Sequence, residues 1–338
     1  RKLPFPLLKQ AIEQMGEKKF RARQIDSWLW QKAVTSFTEM TNLSKSLREQ
    51  LAEQFDIRPI QEDARQLSED GTVKLRYRLH DGHLIESVLI PVPSERRFTV
   101  CVSSQVGCSL TCSFCATGKM QRVRNLDAAE IFDQVVMVNR VSEAMYGHPL
   151  TNIVYMGMGE PLLAYRNVLE SVERISSPEG LHMSPRRITV STAGIAKMIR
   201  RLADDAVRFN LALSLHAADD AKRDTIMPIN EQNDLESLMT SLEYFYQQTG
   251  NRISYEYIAF HDFNDSLEDA RKLVRLCKRQ FPVRVNIIEY NPVEGVILTK
   301  SSEDKIDRFA QHLRKQGITV TLRRSRGKDI DAACGQLA

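Results

Sequence analysis

No uninterrupted apolar run in this 338-residue chain is long enough to cross a bilayer, and no secretory signal pattern opens it. A soluble, cytoplasmic protein with no membrane partner is therefore expected. No low-complexity segment or close repeat occurs. Charge of one sign is not in large excess: a formal net charge of +4 permits an anionic partner without demanding one. Cysteine is scarce and unevenly placed. Of the six, Cys108, Cys112 and Cys115 share one short stretch, while Cys101, Cys277 and Cys334 stand apart. Such scatter excludes a disulfide scaffold and suits metal or redox chemistry in a reducing compartment. What remains is 42% hydrophobic and 27% charged, enough for one large or two medium domains with an ample core.

The stretch Cys108-Ser-Leu-Thr-Cys112-Ser-Phe-Cys115 organises the reading. Three thiolates on one loop reach three corners of a cubane [4Fe-4S] cluster and leave one iron without a protein ligand, open to chelation by a small molecule. A structural zinc site is the alternative, but it wants four closed ligands, and no second Cys or His pair lies nearby in sequence. Disulfides within so short a span pair poorly.

Residues 1–60 read as three short helices. Leu7, Leu8, Ile12 and Met15 mark one face, Trp28, Leu29 and Trp30 anchor the second helix, and Leu47, Leu51 and Phe55 the third. The basic run Lys18-Lys19-Phe20-Arg21-Ala22-Arg23-Gln24 reads as a loop between helices, either gripping a phosphate backbone or merely solvated. Residues 61–97 read as a β-hairpin extension, with Asp81-Gly82 turning between the alternating runs 72–79 and 83–90. Glu86 interrupts the second run, and either faces solvent by alternation or faces a site.

From residue 98 to 325 strand, loop and helix alternate. Strands are expected near 98–103, 152–156, 187–191, 209–214, 254–260, 283–288 and 319–322. Helices are expected near 128–141, 164–175, 195–202, 234–246, 267–279 and 303–316. Six right-handed units make an α/β fold, a partial (β/α)6 barrel. A terminal segment, 326–338, carries Cys334. Small polar motifs recur just after the strands: Gly157-Met-Gly159-Glu160-Pro161, Ser191-Thr-Ala-Gly194, Ser214-Leu215-His216 and Asn291-Pro292. Barrel enzymes place ligands at those strand ends. Gly159 allows close backbone approach, and Glu160 accepts hydrogen bonds from an ammonium group. Ser191, Ser214 and Asn291 suit a carboxylate, ribose or adenine, so an amino-acid-bearing nucleoside fits the set.

The cysteine loop with Gly-Met-Gly-Glu resembles the radical S-adenosylmethionine (SAM) superfamily, and the whole chain is similar to its RNA adenine-methylating branch, the RlmN type. The likeness rests on Ile-Glu-Ser-Val-Leu-Ile-Pro at 85–91, Cys-Val-Ser-Ser-Gln-Val-Gly-Cys at 101–108 and Tyr-Met-Gly-Met-Gly-Glu-Pro at 155–161. It continues with Ser-Pro-Arg-Arg at 184–187, Ser-Leu-His at 214–216, Met-Pro-Ile-Asn at 227–230 and Asp-Ile-Asp-Ala-Ala-Cys-Gly-Gln-Leu at 329–337. A sister type, the chloramphenicol–florfenicol resistance methylase, targets carbon 8 of adenine rather than carbon 2. Glu160-Pro161 and the helical amino-terminal region resemble the carbon-2 type. Four residues follow Cys334 where the family pattern leads to a longer tail, and 291–301 lacks the family's proline-rich character.

The resemblance implies ribosomal and transfer RNA substrates, a [4Fe-4S] cluster on Cys108, Cys112 and Cys115, and two SAM molecules per turnover. SAM contacts would come from Gly159, Glu160, Ser191, Ser214, Leu215, His216 and Asn291. It further implies that Cys334 takes a methyl from one SAM and that a second SAM yields the radical that activates this methyl for addition to carbon 2. Glu86 removes the carbon-2 proton, and Cys101 resolves the RNA–protein adduct through a disulfide with Cys334. Carbon 2 lies between two ring nitrogens and is electron-poor, which makes a radical route reasonable. A monomer fed by a flavodoxin or ferredoxin is expected. The target base enters flipped or unstacked. Arg323, Arg324, Arg326, Lys328, Arg186, Arg187, Lys119, Arg122 and Arg124 are candidate phosphate contacts near the rim. Cys277 is expected to be an inert helix thiol. A maturase-like radical-SAM enzyme and a zinc-bearing RNA-binding protein are the remaining alternatives.

Overall fold

The structure, a computed structural model, describes residues 1–57 and 60–338. Its amino-terminal part is the expected set of three helices, α1 (Phe5–Gln14), α2 (Phe20–Trp30) and α3 (Lys45–Gln54). Ser44 caps α3 by accepting from the Leu47 N–H at 3.2 Å, a bond worth about 1 kcal/mol. Ile12, Ile25, Leu47 and Leu51 are buried, but Leu7 is half exposed and lies outside this core. The basic run is not a loop, because Phe20 to Gln24 form the first turns of α2. Its cations therefore project from a fixed helix.

A sheet of ten strands follows. It opens with β1 (Gln61–Leu67), β2 (Val73–Arg78), β3 (Leu84–Val92) and β4 (Arg97–Cys101), all antiparallel. The Asp81-Gly82 turn joins β2 to β3 as expected, with Gly82 at φ 85°. The extension is a three-stranded meander rather than a hairpin, and β3 joins it to β4 without a break. A small ribbon of β5 (Gln105–Val106) and β6 (Arg124–Asn125) brackets the cysteine loop. Then come α4 (Ala128–Tyr146), β7 (Asn152–Tyr155), α5 (Tyr165–Ser176), β8 (Ile188–Thr192), α6 (Ala196–Asp204) and β9 (Asn210–Ser214). A short helix, α7 (Asp220–Ile226), precedes α8 (Leu235–Thr249), β10 (Ile253–Ala259), α9 (Leu267–Cys277), β11 (Val283–Glu289), α10 (Glu303–Lys315) and β12 (Thr319–Arg323).

From β4 onward neighbours are parallel and in chain order, ending at β12. This is a partial barrel with a gap between its first and last strands. β10 is buried at every residue, as a central parallel strand covered on both faces should be. The helical part packs on the barrel's flank, where Trp30 meets Phe132 of α4 edge-to-face at 5.0 Å. Among the described residues no helix is long and apolar enough to cross a membrane.

Candidate active site

The loop after β4 is wound tightly around its cysteines. Cys115 N–H donates to Cys112 O at 3.2 Å and Gly118 N–H to Cys115 O at 3.1 Å. A Cβ on Gly118 would stand 2.7 Å from Cys112 O, so only glycine closes the turn. The three sulfurs pack on an apolar floor that includes Leu110, Phe114, Met227, Phe260 and Tyr290. Burial pushes the Cys108 thiol up to about 11 and raises Cys112 further, with the neighbouring cysteines adding to the rise at Cys112. Soft thiol donors gathered on one apolar floor suit a cation held among them. Among the described residues the one triad of His, Cys, Asp and Glu ligand atoms within 4.8 Å of one another is His261, Asp262 and Asp265. Three cysteines on one loop suit a multi-iron cluster with one iron left open.

The strand-end motifs line the same rim. Gly159 adopts φ +92°, and a Cβ there would meet Gln105 at 2.4 Å. The close approach that requires this glycine is to Gln105, whose Oε1 accepts from the Glu160 N–H at 2.8 Å. Glu160 is buried and accepts from Leu162 N–H (3.0 Å) and Ala193 N–H (2.8 Å). Burial still pushes its carboxyl up to about 7 against these bonds, so a bound ammonium group would gain from meeting it ionised. Ser191 donates to Tyr155 O at 2.6 Å, which leaves its oxygen as an acceptor. Leu215 is fully buried. His216, at φ 55°, accepts at Nδ1 from Ile258 N–H at 3.2 Å. Burial and then the charge of Arg223 lower it to about 3, so it is a neutral imidazole. Asn291 is buried and donates to Glu289 O at 3.3 Å.

The segment after β12 crosses the barrel's gap. Gly327 N–H donates to Asp70 at 3.0 Å, and Asp329 accepts from Ser68 Oγ at 2.5 Å. Ala116 N–H then donates to Gly335 O at 2.7 Å, and Thr117 Oγ1 to Leu337 O at 2.6 Å. Ala338 N–H reaches the Glu86 carboxylate at 3.1 Å. Glu86 is therefore not on a solvent face: it is buried, 3.4 Å from Lys74 Nζ, at the edge of this rim. Glu289 pins the segment's start, accepting from Arg324 at 2.6 Å and Lys328 at 2.8 Å. Burial pushes its carboxyl up, but these bonds more than offset that and bring it to about 2.

Cys334 sits at the centre of this arch. Its side chain meets solvent, yet protein surrounds it. Burial raises the thiol to about 11, and the charges of Cys115 and Glu256 add to this. Cys101, at the end of β4, is raised to about 12 by burial and then by the charge of Cys334. The structure thus brings together Cys101, Cys334, the cysteine loop and Glu86. All six cysteines are free thiols.

Several expected phosphate contacts are placed otherwise. Arg186 and Arg187 immediately precede β8, at the end of the strand opposite Ser191, and so lie on the far side of the barrel from the rim. Arg124 is committed to Asp81 and Glu130, and Arg324 and Lys328 to Glu289. Sequence reasoning also missed Arg223 and Glu256. Both are charged and buried, and nothing in residue type alone marks such a charge as internal.

A family model described as the ribosomal RNA large subunit methyltransferase N-terminal domain matches residues 3–57. The radical SAM superfamily model matches residues 102–277. A probable dual-specificity RNA methyltransferase RlmN from Cytophaga hutchinsonii is 54% identical over 98% of this chain and 90% of its own length. The dual-specificity RNA methyltransferase RlmN of an Anaeromyxobacter species is 43% identical over 100% of the chain and 90% of its own. The crystal structure of a radical SAM methyltransferase from Sphaerobacter thermophilus superposes with a TM-score of 0.92 at 40% identity, covering 99% of this chain and 97% of that one. A three-cysteine loop at the rim of a partial barrel, the helical part before it and relatives matched end to end agree: the chain belongs to the RlmN family of radical SAM RNA methyltransferases, which use SAM and an iron–sulfur cluster.

Proposed function

We propose that the protein methylates carbon 2 of adenine in ribosomal and transfer RNA, with Cys334 as methyl carrier. The observation that carries this reading is Cys334 arched over the cysteine loop, near enough to Cys101 for its charge to raise that thiol. A radical-SAM enzyme without a methyl carrier has no use for that pair.

Cys108, Cys112 and Cys115 would hold the cluster, which when bound supplies the electron that cleaves SAM reductively. Glu160, buried and reluctant to ionise, would hold the SAM ammonium group. Ser191, Ser214, His216 and Asn291 would shape the surrounding pocket, with Leu215 filling its wall. Two SAM molecules are consumed per turnover, one as methyl donor to Cys334 and one as radical source. Glu86 takes the carbon-2 proton, and its present bond to Ala338 N–H keeps the carboxylate aimed along the segment that carries Cys334. Cys101 then attacks the Cys334 sulfur. Once the adduct has given up its unpaired electron, the carbon–sulfur electron pair passes to the bridging carbon, which takes up a proton to become the methyl group, and a disulfide remains for an external reductant. Exposed Lys18, Lys19 and Arg23 around Phe20 offer phosphate contacts on the helical part. A cytoplasmic monomer served by a flavodoxin- or ferredoxin-like donor completes the reading.

The test is anaerobic reconstitution followed by incubation with SAM, reductant and unmodified RNA, with the RNA digest compared against 2-methyl- and 8-methyladenosine. Appearance of 2-methyladenosine, and its loss with iron in Cys112→Ala, is expected. 8-Methyladenosine would overturn the position of attack, and SAM cleavage without RNA modification would overturn the substrate.

A further inference from the structure

Arg223, on α7, has zero exposure. A buried guanidinium is costly unless its donors and its charge are both met. Its donors are met. Nε donates to Leu215 O at 3.1 Å, Nη1 to Asn230 Oδ1 at 2.5 Å, and Nη2 to Ser214 O at 3.3 Å and to Ala193 O. Its charge is not met by contact. Every one of these partners is neutral, and among the described residues no carboxylate touches it. Asp220 and Asp224 are held one residue away, accepting from Asn230 Nδ2 at 2.9 and 2.6 Å.

What lies on the other side of Arg223 is the cysteine loop. The last carbonyl of α7, Ile226 O, accepts from Ser113 N–H at 3.0 Å, between Cys112 and Cys115. Ile226 and Met227 form part of the floor on which the three sulfurs pack. The same guanidinium ties together the loop after β8 at Ala193 and the loop after β9 at Ser214 and Leu215. Those two loops and the strand ends before them carry Ser191, Ser214, Leu215 and His216, four of the seven proposed SAM contacts, and Ala193 N–H is one of the backbone donors that hold Glu160.

We propose that Arg223 is the built-in counter-charge of the cluster: a cation left without a touching anion until three thiolates bind iron, which then favours the reduced, more anionic state while its hydrogen bonds hold the β8 and β9 loops against the cysteine loop. This rests on the cluster reading of Cys108, Cys112 and Cys115. It adds a reason for a buried arginine where a neutral side chain would have cost less to bury. Arg223 touches no reacting atom and is a positioning residue. Its effect is electrostatic, through a water-poor interior where charge is weakly screened.

The experiment is a redox titration of reconstituted holoenzyme, with the reduced cluster read by electron paramagnetic resonance, on wild type, Arg223→Gln, Arg223→Lys and Asp224→Asn. At a fixed potential the reduced-to-oxidised ratio should fall about tenfold in Arg223→Gln, which is about 59 mV for one electron. It should change less than about threefold in Arg223→Lys, which keeps the charge. Asp224→Asn keeps the bond from Asn230 but removes an anion near Arg223, so the ratio should rise. If Arg223→Gln does not load iron, the sign in Asp224→Asn decides: a rise supports the proposal, and no change or a fall overturns it. Equal ratios in all loaded variants, or equal falls in Gln and Lys, would overturn the charge role. Wild type that binds no iron would instead overturn the cluster reading itself.

Discussion

Replacing Glu289 by glutamine should loosen the arch that carries Cys334 while leaving the barrel intact. Glu289 ends β11, and its carboxylate accepts from Arg324 and Lys328 and lies 3.6 Å from Lys300. A charge-assisted hydrogen bond contributes roughly 1.5–3 kcal/mol when sheltered. The cationic partners here are each about half exposed, which discounts that figure, and glutamine retains one neutral acceptor. A net local cost of about 2 kcal/mol follows, equivalent to roughly a thirtyfold larger open population. Hydrogen exchange of peptides covering 324–338 should accelerate by about that factor, and Cys334 should be alkylated correspondingly faster. Peptides from β10 and α9 should be unchanged. Unaltered protection of 324–338 would refute the assignment of Glu289 as the clamp. The pH dependence has a definite sign. A carboxyl held at about 2 in the fold against 4.5 free stabilises the clamp fully above 4.5 and loses that contribution as pH falls from 4.5 toward 2. Between pH 6 and 8 the clamp should therefore be insensitive to pH.

His216 should make the metal-free protein less stable in acid. Its folded value of about 3 lies below the free value of 6.5, so the unfolded chain binds the extra proton between those limits. Stability should fall by up to about 1.4 kcal/mol per unit as pH drops through that window, and urea denaturation of His216→Asn should show a shallower slope. Gly159→Ala should cost roughly 2–4 kcal/mol in the same assay, from a strained φ and a Cβ placed against Gln105; a cost under about 0.5 kcal/mol would mean that the loop simply shifts. Glu86→Gln should retain iron and SAM cleavage yet lose about 10²–10⁴-fold in RNA methylation, if proton removal from carbon 2 is its task. Unchanged methylation would move the base elsewhere.

The barrel was legible because its strands are apolar runs, its helices are amphipathic and its polar motifs sit at a fixed place in the repeat. The cysteine loop was legible because ligand spacing is itself geometry. β1 was not. Its sequence, Gln-Glu-Asp-Ala-Arg-Gln-Leu, has almost no strand-forming residue, and pairing with six residues of β2 overrides that propensity. The heptapeptide α7 was missed because it is short and polar, and its burial depends on what four neighbouring groups offer Arg223. Arg186 and Arg187 were misplaced for a different reason: sequence shows that a motif adjoins a strand, but the end of the strand decides whether it faces the rim. Glu86 could be read either way until the structure placed Lys74 of β2 and the last residues against it.

The strand order has a kinetic consequence. Each barrel strand pairs with the barrel strand before it, across separations of 21 to 53 positions, so its closures cost less than any that tie the chain's two ends together. The bonds from 327–338 to Ser68, Asp70, Glu86 and Thr117 join residues more than two hundred positions apart, as the separations of 261, 257, 252 and 220 record. These pay the largest closure entropy and rest on a few hydrogen bonds, most of them only partly sheltered. They should form last in folding and open first in fluctuation, so the piece that carries Cys334 is a movable piece of the site.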